Sequence, residues 1–328
     1  MYVITGGAGF IGSNIAWGLN ERGLGPLVIV DRLREAGKWR NLANREISQF
    51  VAPENVLSFL NAYKEHIAAV IHMGAISATT EQNVDLIIKN NFQLSIDLWD
   101  WCAAHDIRFI YASSAATYGD GTCGFEDDFS YPSLALLKPL NPYAWSKHLF
   151  DRRVCKIIAN KEPRPPQWAG LKFFNVYGPN EYHKGSMQSV VSQVYKRAIV
   201  NEAAILFRSH HPNYKDGGQL RDFIYVDDCV EIVNWLLDNS SVSGLFNFGS
   251  GKARTFASLA TAVFQALGKD PRIEFINTPE NIREKYQYYT EANMARLRSA
   301  GYTKPAIKLE DGVRSYVLDF LHKIDPYR

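Results

Sequence analysis

The sequence predicts an α/β fold in which helices cover both faces of a doubly wound parallel sheet. Two observations support this prediction. In the first half of the chain, short apolar runs alternate with amphipathic stretches, and a glycine-rich turn directly follows the first apolar run. Strands of a parallel sheet are buried on both faces, which is why they consist of nearly continuous apolar residues.

The first half supplies most of the predicted sheet. Four short apolar runs predict parallel strands at residues 2–5, 27–31, 68–72 and 109–113. Apolar residues recur at helical spacing between and after these runs, which predicts helices at residues 11–22, 84–104 and 142–159.

The second half follows a looser pattern. Three prolines, at positions 163, 165 and 166, separate the last of these helices from a predicted strand at residues 170–174. Further strands are predicted at residues 205–207 and 223–226, and helices at residues 186–201, 227–238, 255–267 and 291–300. We therefore expect a first domain at residues 1–170 and a smaller α/β lobe at residues 171–328, interleaved with the end of the sheet.

The composition argues against several classes of function. The chain has 328 residues, 46% of them hydrophobic, and its 36 Lys and Arg residues nearly balance 34 Asp and Glu residues, for a net charge of +2. Such a balance gives no general attraction to nucleic acid or to an anionic membrane. No apolar stretch reaches the roughly 20 residues of a membrane span. The first predicted strand begins at Tyr2, without room for a secretory signal, so we expect a cytoplasmic protein.

The residues that commonly bind metals are not spaced as a metal site. The four cysteines, Cys102, Cys123, Cys155 and Cys229, show no metal-type spacing, so we expect reduced, buried thiols. The histidines show no ligand spacing either. We therefore expect no bound metal.

The glycine-rich turn predicts a Rossmann-type dinucleotide site. Gly6, Gly9 and Gly12 lie between the first strand and the first helix. The first glycine allows a tight turn, the second lets the backbone approach a pyrophosphate, and the third lets helix and strand pack closely. The positive end of the helix dipole then lies beside the phosphates.

The end of the second strand bears on which dinucleotide is bound. Asp31 is placed to bind the adenosine ribose, which favours NAD, but Arg32 follows directly and Lys38 comes soon after. An arginine here can hold a 2′-phosphate through two hydrogen bonds. We expect NADP, with NAD as the alternative.

Three further residues form a candidate catalytic group. Ser114 follows the strand at residues 109–113, at the strand end where ligands bind in such sheets. Tyr143 and Lys147 are four positions apart at the start of a predicted helix, so they share one face. A nearby ammonium and a positively charged nicotinamide lower the pKa of a phenol, so Tyr143 can act as a base while Ser114 binds the reacting oxygen.

These residues together resemble extended short-chain dehydrogenases/reductases that act on nucleotide-sugars. The resemblance covers essentially the whole chain and rests on TGGAGFIGSN (5–14), YASSAATYGD (111–120), NPYAWSK (141–147), FFNVYGP (173–179) and RDFIYVDD (221–228). Where related dehydratases place an Asp-Glu pair, this chain has Ala115 and Ala116, which cannot transfer protons. Dehydration is therefore disfavoured.

Within this superfamily the chain is similar to ADP-glycero-manno-heptose 6-epimerases. The matching segments are NVYGPNEYHKGSM (175–187), GKWRNL (37–42), SATTE (77–81), KNNFQLS (89–95) and KYQYYTEANMARLRSAGY (285–302). The resemblance implies inversion of C6 of an ADP-heptose by oxidation and re-reduction with bound NADP, in the supply of lipopolysaccharide inner-core heptose. It also implies a homo-oligomer, since members of this family form pentamers.

The resemblance assigns roles to particular residues of this chain. Tyr143 and Lys184 are implied as the two proton-handling groups, one on each face of the sugar carbon, with Ser114 and Lys147 in support. A lysine can serve as acid or base only if burial or nearby cations lower its pKa.

The implied binding residues fall into two sets. The cofactor set is Gly6, Gly9, Phe10, Ile11, Gly12, Asp31, Arg32, Lys38, Met73, Gly74, Ala75, Ile76, Ser77, Asn90, Lys147, Val176 and Lys184. The substrate set is Ser114, Asn175, Ser186, Gln193, Phe207, Arg208, Ser209, His210, Arg221 and Tyr286. Pro53, where the family tends to have a lysine near the adenine, and Gln193, at a position that can be His, depart from the pattern.

Two other functions remain open from the sequence. An epimerase acting at C4 of a UDP-hexose shares most of these motifs but lacks HKGSM and the Arg32 and Lys38 pair, and usually holds NAD. A non-catalytic NADP sensor could use the same fold, although it would not need Ser114, Tyr143 and Lys147.

Overall fold

The computed structural model describes residues 1–34, 37–283 and 286–328. Its strands are β1 (Tyr2–Thr5), β2 (Leu27–Val30), β3 (Gln49–Val51), β4 (Ala69–His72), β5 (Arg108–Ser114), β6 (Trp168–Phe173), β7 (Asn175–Tyr177), β8 (Ala204–Phe207), β9 (Leu220–Tyr225), β10 (Gly244–Phe248), β11 (Ala253–Thr255) and β12 (Ile273–Ile276). Its α-helices are α1 (Phe10–Glu21), α2 (Val56–Tyr63), α3 (Val84–Ile87), α4 (Leu94–Ala104), α5 (Tyr131–Leu136), α6 (Pro142–Ala159), α7 (Val190–Ala198), α8 (Val226–Asp238), α9 (Phe256–Ala266), α10 (Glu280–Arg283), α11 (Ala295–Ser299) and α12 (Leu309–Ser315).

A seven-stranded sheet forms the centre of the molecule, in the order β10-β6-β5-β4-β1-β2-β3. Every pairing in this sheet is parallel. The strand order reverses beside β1, where the next strand of the chain lies on one side and β4 on the other. In doubly wound sheets, ligands bind at the carboxyl ends of the strands around this reversal.

Helices cover both faces of the sheet because successive strand residues point to opposite sides. Ile4 of β1 belongs to a core with Ile15 of α1 and Val230 of α8. Its neighbour Val3 belongs to a second core, with Trp99 of α4 and Val154 of α6. The predicted Rossmann-type fold is therefore confirmed.

A third core lies outside the main sheet. It joins α7, α9 and α12 through residues such as Val191, Val263 and Val313. Two small sheets accompany it, β11-β9-β7 and β12-β8. The division at residue 170 stays a prediction. That boundary falls inside β6, and β10 from the second half also pairs in the main sheet.

The structure corrects several predicted elements. The helix predicted at residues 186–201 is the shorter α7 (Val190–Ala198). Its predicted start at residue 186 was too early, because residues 182–187 form a separate tight turn. The helix predicted at residues 291–300 is only the short α11. The helix predicted at residues 84–104 contains a π-helical stretch, Ile88–Gln93, between α3 and α4.

The thiol prediction was wrong for one cysteine. Cys102, Cys155 and Cys229 are buried free thiols, whereas Cys123 is exposed. It lies in the irregular connection before α5, and its sulfur hydrogen-bonds the Leu136 carbonyl at 3.5 Å. Among the described residues, no helix is both long and apolar enough to span a bilayer.

Candidate active site

The glycine-rich turn forms a close-packed cradle at the end of β1. Gly6 has a φ of 65°, and a Cβ there would lie 2.6 Å from Gly74. A Cβ on Gly12 would lie only 2.2 Å from the Gly6 carbonyl oxygen. Both contacts are with backbone, which cannot move aside as a side chain can. The cradle therefore requires glycine and leaves open backbone where a dinucleotide's phosphates would bind.

Asp31 follows β2 and lies beside this cradle, where backbone groups and a cation bind its carboxylate. Its Oδ2 accepts from the Ala8 N–H at 2.9 Å, and its Oδ1 accepts from the Arg32 N–H at 2.7 Å. The Lys38 ammonium donates to the same Oδ1 at 2.6 Å. Lys38 therefore offsets the negative charge of Asp31 at this point.

Arg32 belongs to the same group. Its guanidinium donates to Glu54 Oε2 at 3.0 Å and to Asn90 Oδ1 at 3.3 Å. The structure thus brings together Asp31, Arg32, Lys38 and Asn90, which the sequence assigned to the cofactor from separate segments.

The predicted cofactor segment at residues 73–77 follows β4, and side chains of neighbouring elements hydrogen-bond its backbone. The Gly74 N–H donates to Thr5 Oγ1 at 3.1 Å. Asn91 holds Ile76 at both backbone groups, accepting from its N–H at 2.8 Å and donating to its carbonyl at 3.0 Å. The Asn91 amide also donates to Ser146 Oγ on α6 at 3.0 Å. Sequence reasoning missed Asn91, although it lies next to the predicted Asn90.

The candidate catalytic residues meet where β5 ends and α6 begins. Asn141 caps α6 by accepting from the Ala144 N–H at 2.9 Å, and Pro142 occupies the first helical position. Tyr143 and Lys147 then lie on consecutive turns of α6. The Lys147 ammonium donates to the Ala112 carbonyl of β5 at 2.7 Å, two residues before Ser114.

Burial alters the acidity of both groups. Burial raises the pKa of the Tyr143 phenol, while the Ser114 hydroxyl acts in the opposite direction. Burial lowers the pKa of Lys147 to about 8, and Asp151 partly offsets this effect. The lowered phenol pKa expected from the sequence is therefore not found, because burial of Tyr143 outweighs the hydrogen bond from Ser114.

Lys184 approaches the cradle from another element. It lies in the turn Tyr182–Met187, and its ammonium lies 5.2 Å from the centre of the Phe10 ring at the start of α1. Burial lowers the pKa of Lys184, and the Glu181 carboxylate partly restores it. A lysine that handles protons needs a lowered pKa, and Lys184 meets this requirement. Val176, another predicted cofactor residue, lies in the neighbouring β7.

Three predicted substrate residues form a cluster in the smaller lobe. The Arg221 side chain is mostly buried between the Phe256 and Tyr286 rings, at 5.6 and 5.5 Å from their centres. The Tyr286 ring in turn meets Phe207 edge-on at 6.2 Å. This arrangement presents one cation among aromatic surfaces, which suits a nucleoside diphosphate.

The loop after β8 carries three more predicted substrate residues. The Arg208 carbonyl accepts from Thr278 Oγ1 at 3.0 Å, and the Ser209 N–H donates to Asp216 Oδ1 at 2.8 Å. The His210 N–H donates to the Tyr288 hydroxyl at 2.9 Å. The loop is therefore hydrogen-bonded to Asp216 further along the same connection, to Thr278 after β12 and to Tyr288 in the irregular segment after Tyr286.

Other predicted substrate residues lie elsewhere. Ser186 is exposed in the Tyr182–Met187 turn. Gln193 donates to the Gln188 carbonyl at 2.8 Å, beside the start of α7. Asn175 accepts from Thr290 Oγ1 at 3.5 Å. Lys285, which begins one matching segment, lies outside the described residues. No group of three potential metal ligands occurs in the described part of the chain.

Comparison with known proteins establishes the family. The NAD dependent epimerase/dehydratase family matches residues 2–249, and the chain belongs to this family. The ADP-L-glycero-D-manno-heptose-6-epimerase of Nitratidesulfovibrio vulgaris (strain DP4) is 50% identical over 329 residues, which cover 100% of both chains.

Solved structures agree with this placement. The Helicobacter pylori ADP-L-glycero-D-manno-heptose-6-epimerase has a TM-score of 0.78 and 28% identity, covering 96% of this chain and 94% of its own. The UDP-glucose 4-epimerase of Thermus thermophilus, in complex with NAD, has a TM-score of 0.72 and 25% identity, covering 96% and 97%. These findings confirm the resemblance seen in the sequence. The chain is an epimerase that uses a nicotinamide cofactor and a nucleotide-sugar.

Proposed function

We propose that this chain inverts C6 of ADP-D-glycero-β-D-manno-heptose to give ADP-L-glycero-β-D-manno-heptose. The observation that carries the proposal is the placement of two candidate proton-handling side chains. Tyr143 begins α6, which Lys147 joins to the end of β5, and Lys184 lies 5.2 Å from the Phe10 ring at the start of α1, directly after the glycine cradle. Inversion through a ketone needs a proton relay on each face of the carbon, whereas a one-way oxidation needs only one.

Different residues of the chain have different roles in the proposed reaction. Gly6, Gly12 and the 73–77 segment hold the dinucleotide, which, when bound, accepts and returns a hydride. One of the pair Tyr143 and Lys184 takes the C6 hydroxyl proton as the ketone forms, and the other returns a proton after the sugar's end has turned. Ser114 hydrogen-bonds the C6 oxygen throughout. Arg221 binds the diphosphate, so the ADP stays in place while the far end of the sugar rotates.

NADP is the proposed form of the cofactor. The support is the state of Asp31, whose carboxylate is bound by Lys38 at 2.6 Å, with the Arg32 guanidinium nearby. A 2′-phosphate needs cations in place of an uncompensated carboxylate. Lys38 and Arg32 supply these cations.

The proposal has further parts. The supply of lipopolysaccharide inner-core heptose and a homo-oligomer of pentameric type follow from the resemblance. A cytoplasmic location and the division into a cofactor domain at residues 1–170 and a substrate lobe at residues 171–328 follow from the sequence pattern. Light scattering of the purified protein would give the oligomeric state directly.

The function is tested by incubating the purified protein with ADP-D-glycero-β-D-manno-heptose without added cofactor and assigning the C6 configuration by NMR. Conversion to the L-glycero epimer is expected, together with its loss in Tyr143→Phe and in Lys184→Met. Exposed Lys161→Met serves as the matched control and keeps full activity. No conversion by folded protein, even with NADP supplied, would exclude the heptose. UDP-hexoses would then be tested next.

A further inference from the structure

The turn that carries Lys184 is short and depends on its surroundings for its position. Residues 182–187 form a kinked turn in which Gly185 has a φ of 56°. Two backbone hydrogen bonds close the turn, from Lys184 N–H to Glu181 at 3.0 Å and from Gln188 N–H to Gly185 at 3.3 Å. These bonds shape the turn, but they do not attach it to the rest of the molecule.

Residues 316–327 make much of that attachment, beside a hydrogen bond of 3.1 Å between the Asn41 amide of the Lys38–Leu42 helix and His183 Nδ1. The Tyr182 hydroxyl donates to the Pro326 carbonyl at 2.7 Å. The Tyr327 ring meets the Tyr182 ring edge-on at 5.0 Å. The Tyr316 hydroxyl donates to Glu181 Oε1 at 2.9 Å, directly before the turn. The chain after α12 therefore supports the Lys184 turn at three points.

The same segment also contacts the adenosine side of the cofactor cradle. The Arg40 guanidinium lies over the Tyr327 ring at 4.5 Å and within 3.8 Å of the Asp325 carboxylate. Arg40 belongs to the short helix Lys38–Leu42, which also supplies the ammonium that binds Asp31. Tyr327 thus lies between the segment that binds Asp31 and the turn that carries Lys184.

Arg328 anchors this segment to the body of the molecule. Its side chain is 7% exposed and donates to Asp227 Oδ1 at 2.5 Å and to Asn14 Oδ1 at 3.0 Å. Its guanidinium lies 4.0 Å from the centre of the Trp17 ring, and its N–H donates to Asn180 Oδ1 at 3.0 Å. A mostly buried cation with this many partners has a fixed position.

We propose that Tyr327 and Arg328 are positioning residues that hold Lys184 against the sugar and fix its turn to the cofactor-binding helix Lys38–Leu42. This inference rests on the proposed function, in which Lys184 is the second proton-handling group. Neither residue is among the predicted substrate residues. Tyr327 acts through Tyr182 and Arg40, and Arg328 holds in place the segment that carries Tyr327. Loss of the Tyr327 ring therefore lowers kcat with little change in KM for the nucleotide-sugar, whose diphosphate is bound by Arg221.

The test compares Tyr327→Ala with Tyr327→Phe. The contacts of Tyr327 described above are made by its ring, so phenylalanine preserves them and alanine removes them. Tyr327→Ala is expected to lower kcat by about tenfold or more, because small displacements of a reacting group cost large factors in rate. Tyr327→Phe should keep wild-type kcat. Ile324→Ala, at an exposed position three residues earlier, is the matched control.

A second measurement does not depend on the substrate. Backbone amide exchange of residues 182–188 should be faster in Tyr327→Ala than in wild type or Tyr327→Phe, with thermal unfolding nearly unchanged. If the wild type fails to epimerise the heptose, this exchange result still tests the positioning. Unchanged exchange and kcat in Tyr327→Ala would overturn the proposal, and so would an equal defect in Tyr327→Phe or Ile324→Ala.

Discussion

At the residue scale, the structure brings one acidic side chain and two cations together beside the glycine cradle, at the predicted adenosine site. Asp31 accepts two backbone N–H groups as well as the Lys38 ammonium, so it keeps a structural role whichever dinucleotide binds. Among the described residues, the Arg32 guanidinium is held only by Glu54, which is exposed, and by Asn90, which is half-buried. Its guanidinium is therefore the group that can turn toward a 2′-phosphate at little cost.

Arg32→Ala is expected to weaken NADP binding by about tenfold or more while changing NAD binding little, because a charge-assisted hydrogen bond to phosphate contributes roughly 1.5–3 kcal/mol. Calorimetric titration of cofactor-free protein with each dinucleotide measures both affinities. Arg164→Ala, an exposed arginine near the start of β6, is the control. An equal loss of affinity for NAD and NADP would mean that Arg32 attracts both dinucleotides by its charge and does not recognise the 2′-phosphate.

At the element scale, a buried ion pair fixes α6 to the sheet near the candidate catalytic residues. Asp151, two turns after Tyr143, accepts from Lys172 of β6 at 2.7 Å and from Ser113 of β5 at 2.7 Å. Lys172 also donates to Thr117 Oγ1 at 2.6 Å. The side chains of this pair are only 0% and 1% exposed. The ion pair therefore connects α6 with β6, and the Ser113 hydrogen bond connects α6 with β5, the strand that ends at Ser114.

Asp151→Asn should lower the free energy of unfolding by about 3–5 kcal/mol, because it leaves the Lys172 charge buried without its counter-ion. The double variant Asp151→Leu with Lys172→Met should be less destabilised than this single variant, since no charge remains to be compensated. Asp238→Asn, which breaks a surface pair with Arg22, should cost no more than about 1 kcal/mol. Urea unfolding measures all three variants. A double variant with a lower free energy of unfolding than Asp151→Asn would contradict this account.

The elements that the sequence predicted well are those specified locally. The buried strands β1 and β4 and the capped helix α6 carry their own apolar pattern or capping residues, so their positions follow from short stretches of sequence. The sequence did not predict β10 because its place beside β6 comes from tertiary pairing of distant segments. The three-residue strand β3 was missed because its half-exposed residues lack a continuous apolar run.

The candidate site also contains some residues that local sequence patterns predict and others that they do not. The glycine turn and the Tyr143 and Lys147 pair are local patterns with a direct physical meaning. Arg221, Phe207 and Tyr286 come from separate elements, so their cluster was expected only through resemblance to a family. The support from Asn91 was missed, because a single asparagine in a helix gives no local sign of the loop it will bind.

At the scale of the whole molecule, three histidines in different regions are held in the neutral form. Burial lowers the pKa of His72 on β4 to about 3. Burial likewise lowers the pKa of His148 on α6 to about 4, and that of His183 beside Lys184 to about 4. All three pKa values are below the ordinary value of 6.5, so at mildly acid pH the unfolded chain binds protons that the folded protein does not.

The stability of the protein should therefore fall as the pH drops below about 6.5, because each of these histidines can take up a proton only on unfolding. Between pH 7 and pH 5 each contributes a loss of about 2 kcal/mol, and the loss continues until the pH reaches the folded pKa. His148 is 4% exposed, and its Nδ1 has no hydrogen-bond partner among the described residues. His148→Leu should thus reduce the loss in free energy of unfolding between pH 7 and pH 5 by about 2 kcal/mol, the contribution of one histidine. His66→Leu, at an exposed position, is the control and should leave this loss unchanged. Urea unfolding at pH 5, 6 and 7 gives these slopes, and a His148→Leu protein that loses stability as steeply as wild type would show that this side chain is already protonated in the folded state.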